Sequence, residues 1–208
     1  MAEYTFFTNP MSRGQIARWA LHEADADYQQ VLVDWANKPA ALLKANPMGK
    51  IPVIIHHASG REKVVTECAA ICHYLAEMHP QCGLLPKDDE MADYFRWLFF
   101  AAGPVEQAIA ARHMGFEPKP EQQGMAGWGS FERTITTIEQ HLANRNYVCG
   151  DRFTMADVYV GSQVDWGLTF GTIPPNEPFV AYAELLQTRP AYKAAKAIDG
   201  KLIEEMKK

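Results

Sequence analysis

Short β-rich runs interleave with three-and-four spacing over the first 79 residues, and from residue 88 onward only helical spacing remains. The run Glu-Tyr-Thr-Phe-Phe at 3–7 predicts a strand, which Asn9-Pro10 breaks. Ser12 then stands as a good N-cap for a helix from Arg13 to about Ala24, whose Ile16, Trp19, Ala20 and Glu23 define one mostly apolar face. Residues 28–33, Tyr-Gln-Gln-Val-Leu-Val, predict a second strand. Two strands separated by a helix favour parallel pairing and a right-handed crossover. A short helix near 39–45 follows. Strands are expected at 51–55 and 63–65, and the short turn His57-Ala58-Ser59-Gly60 between them requires antiparallel pairing. Thr66 or Glu67 opens the next helix, which His79-Pro80 ends near Met78.

The order β-α-β-α-β-β-α is that of a thioredoxin-like domain, assigned to residues 1–79. Residues 80–87, with Pro80, Gly83 and Pro86, read as a linker, and 88–208 as an all-helical domain. In the latter, Met91, Phe95, Leu98, Phe99 and Ala102 recur at helical spacing within a helix expected over 88–115. Another helix is expected over 121–143, although Gly124, Gly127 and Gly129 weaken its first half. In Phe153-Thr154-Met155-Ala156-Asp157, the Thr154 hydroxyl and the Asp157 carboxylate can each take the other's backbone amide. That is a capping box with Asp in place of Glu, a structural feature rather than a catalytic one.

Composition narrows the class. Apolar residues make up 48% and charged residues 22% of 208 residues, as in ordinary globular proteins. A net charge of -5 and the lack of a basic run argue against nucleic acid, and no apolar stretch reaches the roughly 20 residues of a membrane span. Met1-Ala2-Glu3-Tyr4 carries no secretory pattern. The four cysteines, Cys68, Cys72, Cys82 and Cys149, form no CxxC or zinc-like spacing, so free thiols and a cytoplasmic location are expected. His56 and His57 would point to opposite faces of a strand, which argues against a shared metal ion.

Three segments carry a family resemblance. Pro47-x-Gly49-Lys50-Ile51-Pro52-Val53, Glu67-Cys68-x-Ala70-Ile71 and Phe153-Thr154-x-Ala156-Asp157, in that order and spacing, resemble a cytosolic glutathione transferase, bacterial and serine-type or theta-like, over nearly the whole chain. The resemblance implies a cis proline at Pro52, with the backbone of Ile51 pairing with the cysteinyl group of glutathione. It also implies that Glu67 and Cys68, at a helix N-terminus, receive the γ-glutamyl group. The family usually has Ser where this chain has Cys68, a weaker donor. The activating residue in the family is Tyr, Ser or Cys near the end of the first strand. Ser12 is the position that matches best, with Asn9 next and Thr8 or Tyr4 behind; Ser12 serving only as a helix cap is the alternative.

Arg13, Lys38 and Lys50 are further candidates for glutathione, Lys50 and Lys38 for its glycine carboxylate. Trp35 either walls that pocket or belongs to the core. Phe100, Gln107, His113 and Trp166 are expected to line a pocket for an apolar electrophile. The implied activity is attack of the glutathione thiolate on such an electrophile, in a cytoplasmic homodimer, with glutathione as cosubstrate and no metal or prosthetic group. The alternatives are a glutathione- or ligand-binding stress protein with little turnover, a glutathione-dependent reductase, or an isomerase. The first is favoured by Cys68. The others lack their cysteine-containing motifs here.

Overall fold

In the computed structural model, which describes residues 2–58 and 60–207, the β-rich runs become strands β1 (Tyr4–Thr8), β2 (Tyr28–Leu32), β3 (Val53–Ala58) and β4 (Arg61–Val65). They form one sheet in the order β2-β1-β3-β4. β1 is an inner strand with both faces covered, so Phe6 and Phe7 are both buried and its sequence shows no alternation. β1 and β2 run parallel, with Tyr4 opposite Tyr28 and Thr8 opposite Leu32, as a crossover through α1 (Gly14–Glu23) demands. β3 runs antiparallel to both β1 and β4. The strands reach further into the expected turn than the sequence suggests: His57 and Ala58 belong to β3, Gly60 remains in the turn, and Ser59 lies outside the described residues. The two edge strands present polar residues to solvent, among them Gln29, Gln30, Arg61, Glu62 and Lys63.

Helix α2 (Ala40–Ala45) lays Leu42 on Phe7, Val33 and Val53. Helix α3 (Cys68–Met78) buries Ile71, Cys72, Leu75 and Ala76. The same compact unit, which runs to Leu85, includes the chain from Thr188 onward. There α9 (Pro190–Met206) lies along α1, with Trp19 edge-on to Tyr192 at 5.1 Å and Arg18 Nε 2.9 Å from Asp199 Oδ1. Where the sequence suggests one helical domain over 88–208, the packing therefore assigns the last helix to the first unit. Arg18 is fully buried, and its charged partner comes from α9.

The second unit spans Pro86–Gln187. Its first expected helix is divided: α4 (Met91–Phe100) and α5 (Glu106–His113) are joined by a π turn, Ala101–Val105, that contains Pro104. Proline has no N–H to give and crowds the preceding turn, and the wider turn accommodates it. The helix expected over 121–143 begins only at Phe131. Residues Pro120–Gln122 form a 3-10 turn, the glycine-rich stretch stays irregular, and Ser130 caps α6 (Phe131–Leu142) by accepting from Arg133 N. Helix α7 (Met155–Thr169) is buried nearly all round, and α8 (Glu177–Gln187) packs against it. The capping box at Thr154 and Asp157 is present. No helix of the described residues is long and apolar enough to cross a membrane.

Candidate functional site

The loop from β1 into α1 is held by its own polar side chains. Asn9 is buried, with Nδ2 donating to Val33 O at 2.9 Å and Oδ1 accepting from Met11 N at 2.9 Å, so it ties the loop to the end of β2. Ser12 is half-buried. Its hydroxyl donates to Asn9 O at 2.7 Å and accepts from Gly14 N at 3.0 Å. The helix starts at Gly14 with Arg13 at the N-cap position and no side-chain cap, so Ser12 sits one residue ahead of the place the sequence gives it. Thr8 Oγ1 is buried without a partner, and a Cβ at Gly14 would stand 2.1 Å from it. Glycine at 14 is therefore required by the close approach of Thr8.

The second loop is shaped by Asn46, whose Nδ2 donates to Lys50 O at 3.0 Å and whose Oδ1 accepts from Met48 N at 3.1 Å. It ends in a cis peptide bond between Ile51 and Pro52, as the resemblance implies. The Lys38 ammonium lies over this loop, 3.3 Å from where a Cβ on Gly49 would be, while Lys50 is exposed. Trp35 is 51% exposed, so the core role is not the one it takes.

The third element is the start of α3. Glu67 stands before the helix with φ 63° and ψ 116°, in the left-handed half of the map, and gives no side-chain cap to the first amides. Cys68 Sγ donates to Arg13 O at 3.6 Å. This contact joins the two helix starts, so Ser12, Arg13, Glu67 and Cys68 share one corner of the unit. A helix start of this kind, uncapped by a side chain, suits a carboxylate.

The residues expected to meet an electrophile are less gathered. Phe100 packs edge-on against Trp97 at 5.3 Å, Gln107 is exposed, and Trp166 meets Phe170 edge-on at 6.0 Å. His113 lines a cavity at the end of α5; among the described residues it is the one member of the four that does so.

The thiols are free, as expected. Burial pushes Cys149 up to about 12, and a hydrogen bond with Cys68, then burial, holds the Cys72 thiol well above its ordinary range. His56 and His57 do part company across the strand: His56 Nδ1 meets the Tyr74 hydroxyl at 2.8 Å and His57 Nε2 meets Thr5 Oγ1 at 2.8 Å. Among the described residues no cluster of His, Cys, Asp and Glu has a metal-holding arrangement. The contacts that the sequence could not reveal are the long-range ones, Asn9 to Val33 O and Cys68 to Arg13 O, because the acceptor in each is a backbone carbonyl that no motif marks.

Comparison with known proteins agrees with this arrangement. Residues 2–77 match the family model of the glutathione S-transferase N-terminal domain, and residues 106–166 match that of its C-terminal domain. Glutathione S-transferase GstA of Escherichia coli O157:H7 is 24% identical over 206 residues, covering 93% of this chain and 98% of that protein. A probable glutathione S-transferase of Nicotiana tabacum is 30% identical over 155 residues, 74% of this chain and 65% of its own length. The structure of a sphingomonad glutathione S-transferase complexed with glutathione superposes with a TM-score of 0.74 at 27% identity, over 94% of this chain and 98% of the other. With both domains matched in order along the sequence, the chain belongs to the glutathione S-transferase family.

Proposed function

We propose that the protein conjugates glutathione to apolar electrophiles, as a cytoplasmic homodimer, with Ser12 activating the thiol. The contact of Cys68 with Arg13 O carries this reading, because it sets a hydroxyl and an anion-binding helix start side by side. The γ-glutamyl carboxylate meets the amides of α3, and Glu67 holds the ammonium group. The backbone of Ile51 pairs with the cysteinyl unit, and Lys38 and Lys50 receive the glycine carboxylate, with Asn9 fixing the loop that carries Ser12. The Ser12 hydroxyl then donates to the sulfur. A charge-assisted hydrogen bond contributes roughly 1.5–3 kcal/mol, equivalent to a drop of about 1–2 units in the thiol pKa. The thiolate sulfur bonds to the electrophilic carbon, which either expels its leaving group with the bonding pair or, at an activated double bond, passes the π electrons to the neighbouring carbon, where a solvent proton is taken up. The proton of the thiol passes to solvent. Phe100, Gln107, His113 and Trp166 are the side chains assigned to the electrophile. The exposed Met91 and Phe99 on α4 are the surface assigned to dimerisation.

A second reading has an observation of its own. The hydroxyl hydrogen of Ser12 is engaged by Asn9 O at 2.7 Å and must turn away to reach a thiolate. If it stays, the site binds glutathione with little turnover. Ultraviolet titration of bound glutathione separates the two. Serine activation predicts a thiol pKa well below that of free glutathione, a return toward the free value in Ser12→Ala, and at least a tenfold loss of conjugation at nearly unchanged affinity. A bound thiol with an unshifted pKa, or a fully active Ser12→Ala, removes Ser12 from the mechanism.

A further inference from the structure

The loop that carries Ser12 is braced from outside itself. The ring of Pro10 locks its φ, so the placing of Met11 and Ser12 depends on the next peptide plane, Pro10–Met11. That plane is held at both ends. Its N–H, on Met11, is taken by Asn9 Oδ1 at 2.9 Å, and its carbonyl, Pro10 O, accepts from Gln15 Nε2 in the first turn of α1. Both partners are side chains, and Gln15 is half-buried. With the plane fixed, the Ser12 hydroxyl that follows it is presented in one place, between Asn9 O and Gly14 N.

Gln15 is in turn set by α9, which belongs to the same unit. Its Oε1 accepts from Lys196 Nζ at 3.0 Å. A side-chain amide turned over about its last bond would aim its oxygen at Pro10 O and lose the brace. Lys196 excludes that orientation, because an ammonium group only donates: it keeps Oε1 toward α9 and Nε2 toward the loop. Lys196 is itself seated, with Nζ 5.4 Å from the centroid of the Tyr192 ring, and Tyr192 meets Trp19 of α1 edge-on at 5.1 Å. Every link in the line Lys196–Gln15–Pro10 O lies in α9, α1 or the serine loop. None lies in the cis-proline loop or at the start of α3, which are assigned to the rest of glutathione.

We propose that Gln15 and Lys196 are positioning residues for thiol activation: α9 fixes the Gln15 amide, and Gln15 holds the loop that aims the Ser12 hydroxyl at the sulfur. The proposal rests on the reading of Ser12 above and adds to it a requirement for the last helix. Ultraviolet titration of the bound glutathione thiol, with glutathione affinity and kcat measured on the same whole-chain variants, tests it. Gln15→Leu removes both hydrogen bonds at similar volume. It should raise the bound thiol pKa toward the Ser12→Ala value and lower kcat about fivefold, the effect of one ordinary hydrogen bond. Glutathione affinity should change by less than about twofold, since the groups that hold the peptide are untouched. Lys196→Met should move the pKa and kcat in the same direction by less, and Lys196→Arg, which keeps a donor, should restore them. In a Ser12→Ala background Gln15→Leu should shift the thiol pKa no further, a result that a general loss of stability does not produce. A pKa that moves in Ser12→Ala but not in Gln15→Leu overturns this proposal and leaves the Ser12 reading standing. Additive shifts in the double variant, or a Lys196→Met equal to the unaltered protein, overturn it as well. No shift in Ser12→Ala removes the Ser12 reading and this proposal together.

Discussion

A serine hydroxyl has one hydrogen, and at Ser12 that hydrogen is given to Asn9 O while the oxygen takes Gly14 N. The residue pattern makes Ser12 legible as a cap or an activator, but not the choice between them, since the acceptor that competes with a thiolate is a backbone carbonyl. Asn9 shows the same limit. Its place after the first strand makes it the second candidate for activating the thiol, and only the fold brings Val33 O, from 24 positions later, to its amide. The packing beneath this loop gives a sharper expectation. Thr8 Oγ1 is buried with no partner, and an unsatisfied hydroxyl of that kind lowers stability. Thr8→Val keeps the shape and removes the hydroxyl, so urea unfolding should show a neutral or stabilising change. Gly14→Ala places a methyl group against Thr8 and should cost about 1–3 kcal/mol, the usual range for overpacking.

At the scale of elements, α7 shows how far a local motif extends. Thr154-x-x-Asp157 is readable as a capping box from spacing alone, and both halves are present. The carboxylate does more than cap: Asp157 Oδ1 also accepts from Val148 N at 2.7 Å and from the Tyr182 hydroxyl at 2.8 Å, joining α7 to the preceding loop and to α8. Those partners bear no sequence signature, which is why the box could be read and its network could not. Burial pushes the Asp157 carboxyl up to about 6, against the hydrogen bonds that pull it down. The folded protein therefore holds this proton more tightly than the unfolded chain between about pH 4 and 6. Stability from this group is greatest below pH 4, falls as pH rises through that window, and stays level above it. The total is on the order of 3 kcal/mol. Tyr182→Phe removes a donor to the ionised carboxylate. It should cost about 1.5–3 kcal/mol at pH 7 and move the falling limb to higher pH. Urea unfolding of both proteins across pH 3–8 checks the sign; a limb that rises from pH 4 to 6 would contradict it.

For the whole molecule, the α/β order and the helical region were legible because strand and helix periods differ and the linker prolines separate them. The place of the last helix was not, because α9 is joined to its partner by single side chains far away in sequence. Arg18 and Asp199 are both buried, paired through Nε and Oδ1 at 2.9 Å, and each leaves one further atom, Nη2 and Oδ2, without a partner. Burial raises the Asp199 carboxyl, and the adjacent Arg18 only partly offsets it. A buried pair so incompletely satisfied contributes little net stability, yet each charge depends on the other. Asp199→Ala should therefore cost about 3–5 kcal/mol, because it strands a guanidinium inside the unit. Replacing both residues, Arg18→Met with Asp199→Leu, should recover most of that loss and reach or exceed the original stability. Thermal and urea unfolding of the single and double variants measures this directly. A double variant as weak as Asp199→Ala would mean that the pair holds α9 by specific bonding rather than by the apolar surface around it, which Trp19 and Tyr192 contribute.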